Sequence, residues 1–235
     1  MKILTKLMIL TAALSLTGCS LLENILKKAE NAAENNANDY NGTLRMSREE
    51  SEAKLDAAAK SGYYVSFEYD YSGDSGADRG SFDIGNKGDT FWINVENTNQ
   101  SETGYAFVTV NAGIEMYQYD LDAGGYVYMG TDTSGQNTQT LENLKQGYKG
   151  WIYWANTYDG QLKKGNDEMV IGRSCYTYTI RGLQKAEYKV WVDKEFGITL
   201  KLDFDATIDG QHTWARYQMN EFLLGNEVHK PTLYK

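Results

Sequence analysis

From residue 63 onward, apolar and polar residues alternate in short runs, and this period of two restricts the chain to strands with one covered face. In residues 63–71, Tyr63, Val65, Phe67, Tyr69 and Tyr71 fall on one face, with Ser66, Glu68 and Asp70 on the other. The same rhythm returns at 80–86, 90–96, 104–111, 114–120, 126–129, 169–180, 188–193, 198–205 and 213–219. Residues 104–111 are apolar on both faces, so both sides of that strand are expected to be covered. The links between runs are too short for the crossovers that parallel strands need, so the sheet is expected to be antiparallel. Glycine occurs 23 times and proline once, and tyrosine supplies 18 of the aromatic residues. That balance fits strands joined by glycine turns, with side chains that tolerate partial exposure.

The rhythm breaks between 131 and 168. A polar loop over 131–138 precedes a short helix at 141–146. The spacing over 151–155 fits a helix or a strand alike, and the break in the meander favours a helical cover carrying Trp151, Ile152 and Trp154. Gly160 to Gly165 reads as a polar link and 220–235 as mostly irregular, while Asp209-Gly210 signals a hairpin. Upstream, Ser47 with Glu50 three residues later marks the start of a helix over 47–60, stopped at Ser61-Gly62. These elements predict one domain over 45–235, with 9 to 11 antiparallel strands and helices covering one face.

The amino terminus is different. Lys2 and Lys6 precede an apolar stretch, Leu7 to Leu16, of the length of a secretion signal and too short to span a bilayer. It ends Leu16-Thr17-Gly18-Cys19, which resembles the lipobox of bacterial lipoproteins. That resemblance implies cleavage after residue 18, lipid on Cys19, and a mature chain of 217 residues hanging outside the cytoplasm from the cell membrane or outer membrane. Two or three acyl chains hold a protein far better than one. Residues 19–44 then form the lipidated terminus and spacer, including a weak amphipathic helix over 20–37 and a break at Asn41-Gly42.

Losing Lys2 and Lys6 with the leader takes the formal charge from -9 to about -11. So acidic a chain lacks the clustered cations that bind nucleic acid or anionic lipid surfaces, so membrane attachment falls to the acyl group. With Cys19 committed to lipid, Cys175 has no disulfide partner in the chain and reads as a small buried strand residue. His212 and His229 stand apart, and no metal-ligand spacing or nucleophile elbow occurs. Asp70, Asp74 and Asp78, and likewise Asp120 and Asp122, sit among glycines without a calcium-loop pattern and read as solvated loops. No cofactor and no catalytic constellation is expected.

The carboxy-terminal half carries a phrase: Tyr188-Lys189-Val190-Trp191-Val192-Asp193-Lys194, then Gly197, then Leu200-Lys201-Leu202. It resembles the periplasmic lipoprotein carrier and receptor superfamily, the Lol type, with its related lipid-binding bacterial lipoproteins. The resemblance implies a mainly β fold with covering helices, a curved antiparallel sheet or incomplete β-barrel, and an apolar cavity for acyl chains under a helical lid. The Trp-x-Asp phrase is a turn and packing feature in that family. On this reading the cavity is lined by Tyr63, Val65, Phe67, Tyr69, Phe91, Ile93, Phe107, Tyr176, Tyr178, Val190, Leu200, Leu202, Tyr217 and Met219, with Trp151, Ile152 and Trp154 in the lid. The same residues would equally fill a solid core, since core and cavity faces look alike in sequence. Two functions follow: a membrane-anchored binder of lipid or another hydrophobic ligand, or an envelope interaction or sensory module with a solid core and an exposed aromatic patch that includes Trp92 or Trp214.

Cys19→Ala removes the acceptor thiol. The variant is expected to lose labelled palmitate incorporation and leave the membrane fraction, and a C19A chain that stayed membrane-bound would overturn the lipobox reading.

Overall fold

The structure is a computed structural model, described over residues 40–73, 76–98, 100–181, 187–208 and 211–235. Cys19, the leader, the 20–37 helix, Asp74 and the Asp209-Gly210 turn lie outside the described residues. Helix α1 (Arg48–Ala58) is followed by β1 (Tyr63–Gly73), β2 (Gly76–Lys87), β3 (Thr90–Asn97), β4 (Gln100–Val110), β5 (Gly113–Asp120) and β6 (Gly125–Asp132). Helix α2 (Gln136–Ile152) and a 3-10 turn (Trp154–Tyr158) lead to β7 (Leu162–Val170), β8 (Arg173–Arg181), β9 (Glu187–Asp193), β10 (Thr199–Ile208), β11 (Gln211–Leu224) and the two-residue β12 (Leu233–Tyr234).

Among the described residues the strands make one open, curved sheet in the order β12-β6-β5-β4-β3-β2-β1-β11-β10-β9-β8-β7. Neighbours pair antiparallel throughout, except that β12 runs parallel to β6. Two meanders, β1 to β6 and β7 to β11, meet where β1 pairs with β11 from Tyr63↔Leu224 to Ser72↔Trp214. The register jumps between Ser66 and Phe67, leaving Asn220 as the extra residue of a bulge that bends β11. Helix α2 carries the chain from one edge of the sheet to the other across its inner face.

Several boundaries differ from the sequence reading. The link expected at 160–165 is the start of β7, and the run 169–180 spans the β7–β8 turn, where Ile171 and Gly172 both have positive φ. The two helical pieces expected at 141–146 and 151–155 are one 17-residue helix with the 3-10 turn behind it. Strand β2 starts at Gly76, so Asp78 sits buried in a strand rather than in a loop, with its carboxylate facing the Tyr69 hydroxyl at 3.4 Å. Strand β11 runs on to Leu224, and the tail beyond it is ordered against the outer face of the sheet.

Helix α1 begins as its sequence dictates: Ser47 Oγ accepts the Glu50 N–H at 3.2 Å. Leu55 enters the core, and buried Ser51 donates to the Phe196 carbonyl. That contact seats α1 on the β9–β10 turn. There the Asp193 carboxylate, 2 % exposed, accepts Arg173 Nε at 2.7 Å and Nη2 at 3.2 Å, and the N–H groups of Glu195 at 3.0 Å and Phe196 at 2.7 Å. The Arg173 guanidinium lies over the rings of Phe196 and Phe222 at 5.1 and 5.2 Å. Gly197 closes the turn at φ 70°, and a Cβ there would press on Met46 Sδ at 3.0 Å and on Ser51 at 3.1 Å. The Trp-x-Asp…Gly phrase is thus a fastening between turn, strand β8 and helix α1.

Asp193→Ala strips Arg173 of a buried counter-charge and leaves two turn amides unpaired. It is expected to cost about 3–5 kcal/mol in denaturant unfolding, with Asp193→Asn costing less because one amide oxygen still accepts. A loss below about 1 kcal/mol for Asp193→Ala would remove the turn from the stabilising features of the fold.

Candidate ligand-binding face

The inner face is built by strand alternation. Tyr69, Tyr217, Leu202, Val190 and Tyr178 stand side by side across β1, β11, β10, β9 and β8. Phe67 pairs with Met219, Val65 with Ile84 and Ile84 with Ile93, and Phe91 with Phe107. Val65, Phe67, Phe91, Ile93, Phe107, Tyr178, Val190, Leu200, Leu202, Tyr217 and Met219 are all buried in one cluster. Tyr63, Tyr69 and Tyr176 are half-buried and pack against it. The structure therefore brings every lining candidate onto one surface. Rings stack along it: Phe67 lies 4.7 Å from Phe82 and 5.0 Å from Tyr217, and Tyr188 lies 4.4 Å from Phe204.

Sequence reasoning left out Phe82, Ile84, Tyr188 and Phe204, which belong to the same cluster. Their signal was available, since Phe82 and Ile84 alternate with Asp83 and Gly85, and Tyr188 and Phe204 continue the faces of Val190 and Leu202.

The cover presses Leu141, Leu144, Ile152, Tyr153, Trp154, Ala155 and Tyr158 onto this face. Ile152 and Trp154 lie in it, and the side chain of Trp151 is outside the described residues. Trp154 packs on Tyr158 at 4.8 Å and Tyr188 at 6.1 Å. The Ala155 N–H reaches Thr199 Oγ1 at 3.3 Å, and Arg48 lies over the Tyr153 ring at 5.4 Å. Two polar atoms of the cover, Trp154 Nε1 and Asn156 Oδ1, are buried without a hydrogen-bond partner among the described residues. Such atoms favour any arrangement that supplies a donor or acceptor. Burial pushes the hydroxyl pKa of Tyr178, Tyr188 and Tyr217 up, so these phenols stay neutral on the face.

The outer face of β1–β6 carries a second apolar cluster: Trp92, Ala106, Tyr117 and Tyr126, with Tyr64, Val108, Tyr119 and Tyr128 around them. The tail covers it with Val228 and Leu233. Trp92, expected in an exposed patch, is buried, because its ring lies over Gly85 where any Cβ would collide with it. Trp214 is half-buried, with Arg216 over its ring at 5.4 Å. The double-sided apolarity of 104–111 thus reflects two covers.

Beside this cluster lies an open polar depression of 350 Å³ lined by Glu68, Arg79, Ser81, Glu96, Asn97 and Thr98. Nearby, burial raises the Asp83 pKa against the pull of the Ser66 and Tyr64 hydroxyls, and burial with the charges of Glu96 and Asp83 raises that of Glu102. Among the described residues no group of three His, Cys, Asp or Glu is placed to hold a metal ion, and no helix is long and apolar enough to cross a membrane. Cys175 is fully buried, and burial pushes its thiol up to about 12, leaving it protonated and unreactive.

No protein-family model and no curated protein matches the chain. Solved structures do. A chain of the Pseudomonas aeruginosa MucA/MucB complex is 13% identical over 74% of this chain and 56% of its own length, with a TM-score of 0.31. An uncharacterized conserved protein from Thermus thermophilus is 9% identical over 76% of this chain and 87% of its own, at 0.36. A LolA superfamily protein from Nitrosomonas europaea is 9% identical over 75% and 94%, at 0.26. The chain spans just over half the length of the MucB structures it matches, 55% in one and 56% in another. The neighbours include the superfamily that the phrase around Trp191 resembles. At these TM-scores, ligand and partner are left to the chain's own residues.

The raised Asp83 pKa has a defined sign. The folded state holds this proton more tightly than the unfolded chain, so the stabilisation is complete below the ordinary carboxylate pKa and is lost as pH rises through the folded value. Asp83→Asn is expected to be more stable than the wild type by an amount that grows between about pH 4 and pH 7. Parallel urea-stability profiles for the two proteins would contradict it.

Proposed function

We propose that this is a membrane-tethered envelope protein that takes up an acyl chain or similarly apolar ligand between the concave face of its sheet and the α2 cover. The observation that carries the reading is the continuity of the inner face. One uninterrupted apolar surface crosses both meanders, and a single crossing segment lies on it. The contact between cover and sheet is largely apolar side chain against apolar side chain, a kind of surface that an acyl chain can replace without loss. Each buried methylene of such a chain contributes about 0.8 kcal/mol, which offsets the exposure of Leu141, Leu144 or Ile152 as the cover shifts. Trp154 Nε1 and Asn156 Oδ1 would then meet the ligand's polar end. Lipid on Cys19 would keep the domain beside a bilayer, the source of such ligands. The reading assigns no chemical step and no cofactor, and its partners are the membrane, the acyl ligand and an envelope protein that delivers or receives it.

The test is to lock the cover. Cysteines at Ala155 and Thr199, which already touch through the Ala155 N–H, would form a disulfide under oxidation. The full chain is expected to retain extractable lipid from membranes and to bind a fluorescent fatty acid. The oxidised double variant is expected to bind none, and reduction should restore binding. Wild-type protein that neither retains lipid nor takes up the probe would end this reading.

A further inference from the structure

Among the described residues strand β7 is the outer edge of the second meander, paired along its length with β8 and bridged on its other side to Gly42 at Leu162. Between buried Leu162 and Val170, seven consecutive residues are exposed. Its sequence, Lys163-Lys164-Gly165-Asn166-Asp167-Glu168, places two cations before two anions about a centre between Gly165 and Asn166. In a regular strand, residues 163 and 168 would face opposite sides of the sheet. Here the register against β8 shifts between Lys164 and Asp167. Lys163 pairs with Thr179 and Glu168 with Cys175, so both lie on the outer face; Lys164 pairs with Tyr178 and Asp167 with Tyr176, so both lie on the inner face.

The backbone follows the same symmetry. Both the N–H and the C=O of Leu162 bond to Gly42, at 3.3 and 2.7 Å, so the main-chain groups of Leu162 point away from β8. Alternation makes Lys164 the next residue with outward groups, and the bulge passes that role to Asp167. Both residues therefore present outward main-chain groups at the edge, with no backbone partner among the described residues.

We infer that β7 is a self-pairing edge, and that its partner is β7 of a second copy of this chain, antiparallel about a two-fold axis between Gly165 and Asn166. In that arrangement Lys164 and Asp167 of opposite copies exchange main-chain hydrogen bonds, and Lys163 meets Glu168 on the outer face. Each opposite-charge pair occurs twice, and no like charges lie directly opposite. The carboxylates are already steadied within the chain, Glu168 by Lys189 Nζ at 2.6 Å and Trp191 Nε1 at 2.8 Å, and Asp167 by Lys194. Lys163 and Lys164 rest over the rings of Tyr40 and Tyr176 at 5.8 and 5.1 Å, with their ammonium groups unmatched by a carboxylate among the ion pairs of the described residues. The seam would extend each carboxylate pair into a three-charge network. Gly42 occupies the edge at Leu162, so the partner strand ends at Glu168. A foreign strand lacking this charge order and this bulge matches neither feature.

The test uses the full acylated chain in membranes, with Asn166→Cys beside the axis and buried Cys175 as an unreactive background. Mild oxidation is expected to give a cross-linked species of twice the chain mass. Lys163→Glu with Lys164→Glu in one chain, or Asp167→Lys with Glu168→Lys in the other, turns every seam pair repulsive and is expected to lower cross-linking about tenfold or more. Co-expressing the two charge-reversed chains under different tags makes every pair attractive again, and is expected to restore cross-linking between unlike chains. That recovery also shows that both variants fold. Absence of the doubled species, cross-linking indifferent to charge, failure of the mixed pair to recover, or a cross-linked species of another mass would each overturn the proposal.

Discussion

The pairing of β1 with β11 is the constraint on which the rest of the molecule depends. Both meanders are built from neighbours in sequence, and each could in principle grow as a local hairpin array. Among the described residues only the β1–β11 ladder joins the two arrays into a single sheet, because β12 against β6 contributes just two residues. Phe67 sits at this junction, stacked on Phe82 of one meander and Tyr217 of the other. The bulge at Asn220 lies in the same ladder, so one of the bends in the sheet falls where the halves join. A concave face shared by both halves, and a helix able to cross it from β6 to β7, follow from that seam. It also joins residues about 150 positions apart, which places its formation late in folding.

How much of this was legible depends on how each element meets water. Strands with one wet face announce themselves: Val190 and Val192 against Lys189, or Leu200 to Phe204 against Lys201 to Asp205, carry the period of two directly. Strand β7 does not, because seven of its residues are exposed on both faces and its bulge resets the phase, so Gly160 to Gly165 reads as a link. Helix α2 buries Leu141, Leu144 and Ile152 but carries Gly147 and Gly150 among polar residues, and the sequence therefore looked like two short pieces. Faces could be assigned from sequence, and the lining candidates all share one surface. The cover's full length and its polar atoms could not, because they depend on where α2 crosses the sheet.

The outer face shows the same limit from the other side. Apolarity on both sides of β4 required two covers, and one was expected to be helical. The second is the tail that follows β11, short of any periodic pattern. Its Val228 fits against a cluster made possible by Gly85, whose missing side chain lets Trp92 lie flat. With that face occupied, an aromatic docking patch centred on Trp92 is not available, and the inner face stands as the larger continuous apolar surface. The polar depression alongside, lined by Glu68 and Glu96 with Arg79, is open to water.

The proposed tether and the proposed seam place compatible demands on the chain. Tyr40, the first described residue, is held at the β7–β9 end of the sheet next to the seam, its hydroxyl on Glu187 at 2.6 Å and its ring beneath Arg181 at 5.0 Å. Two antiparallel β7 strands would put the two Tyr40 residues at opposite ends of a ladder about six residues long, or about 20 Å apart. Some twenty residues separate Tyr40 from Cys19, enough to reach about 70 Å when extended. The acyl anchors proposed at the two Cys19 residues could therefore enter one bilayer while the two edges remain paired. Confinement to such a surface would raise the effective concentration of the copies, so a seam too weak to hold in dilute solution would be favoured by the proposed anchor.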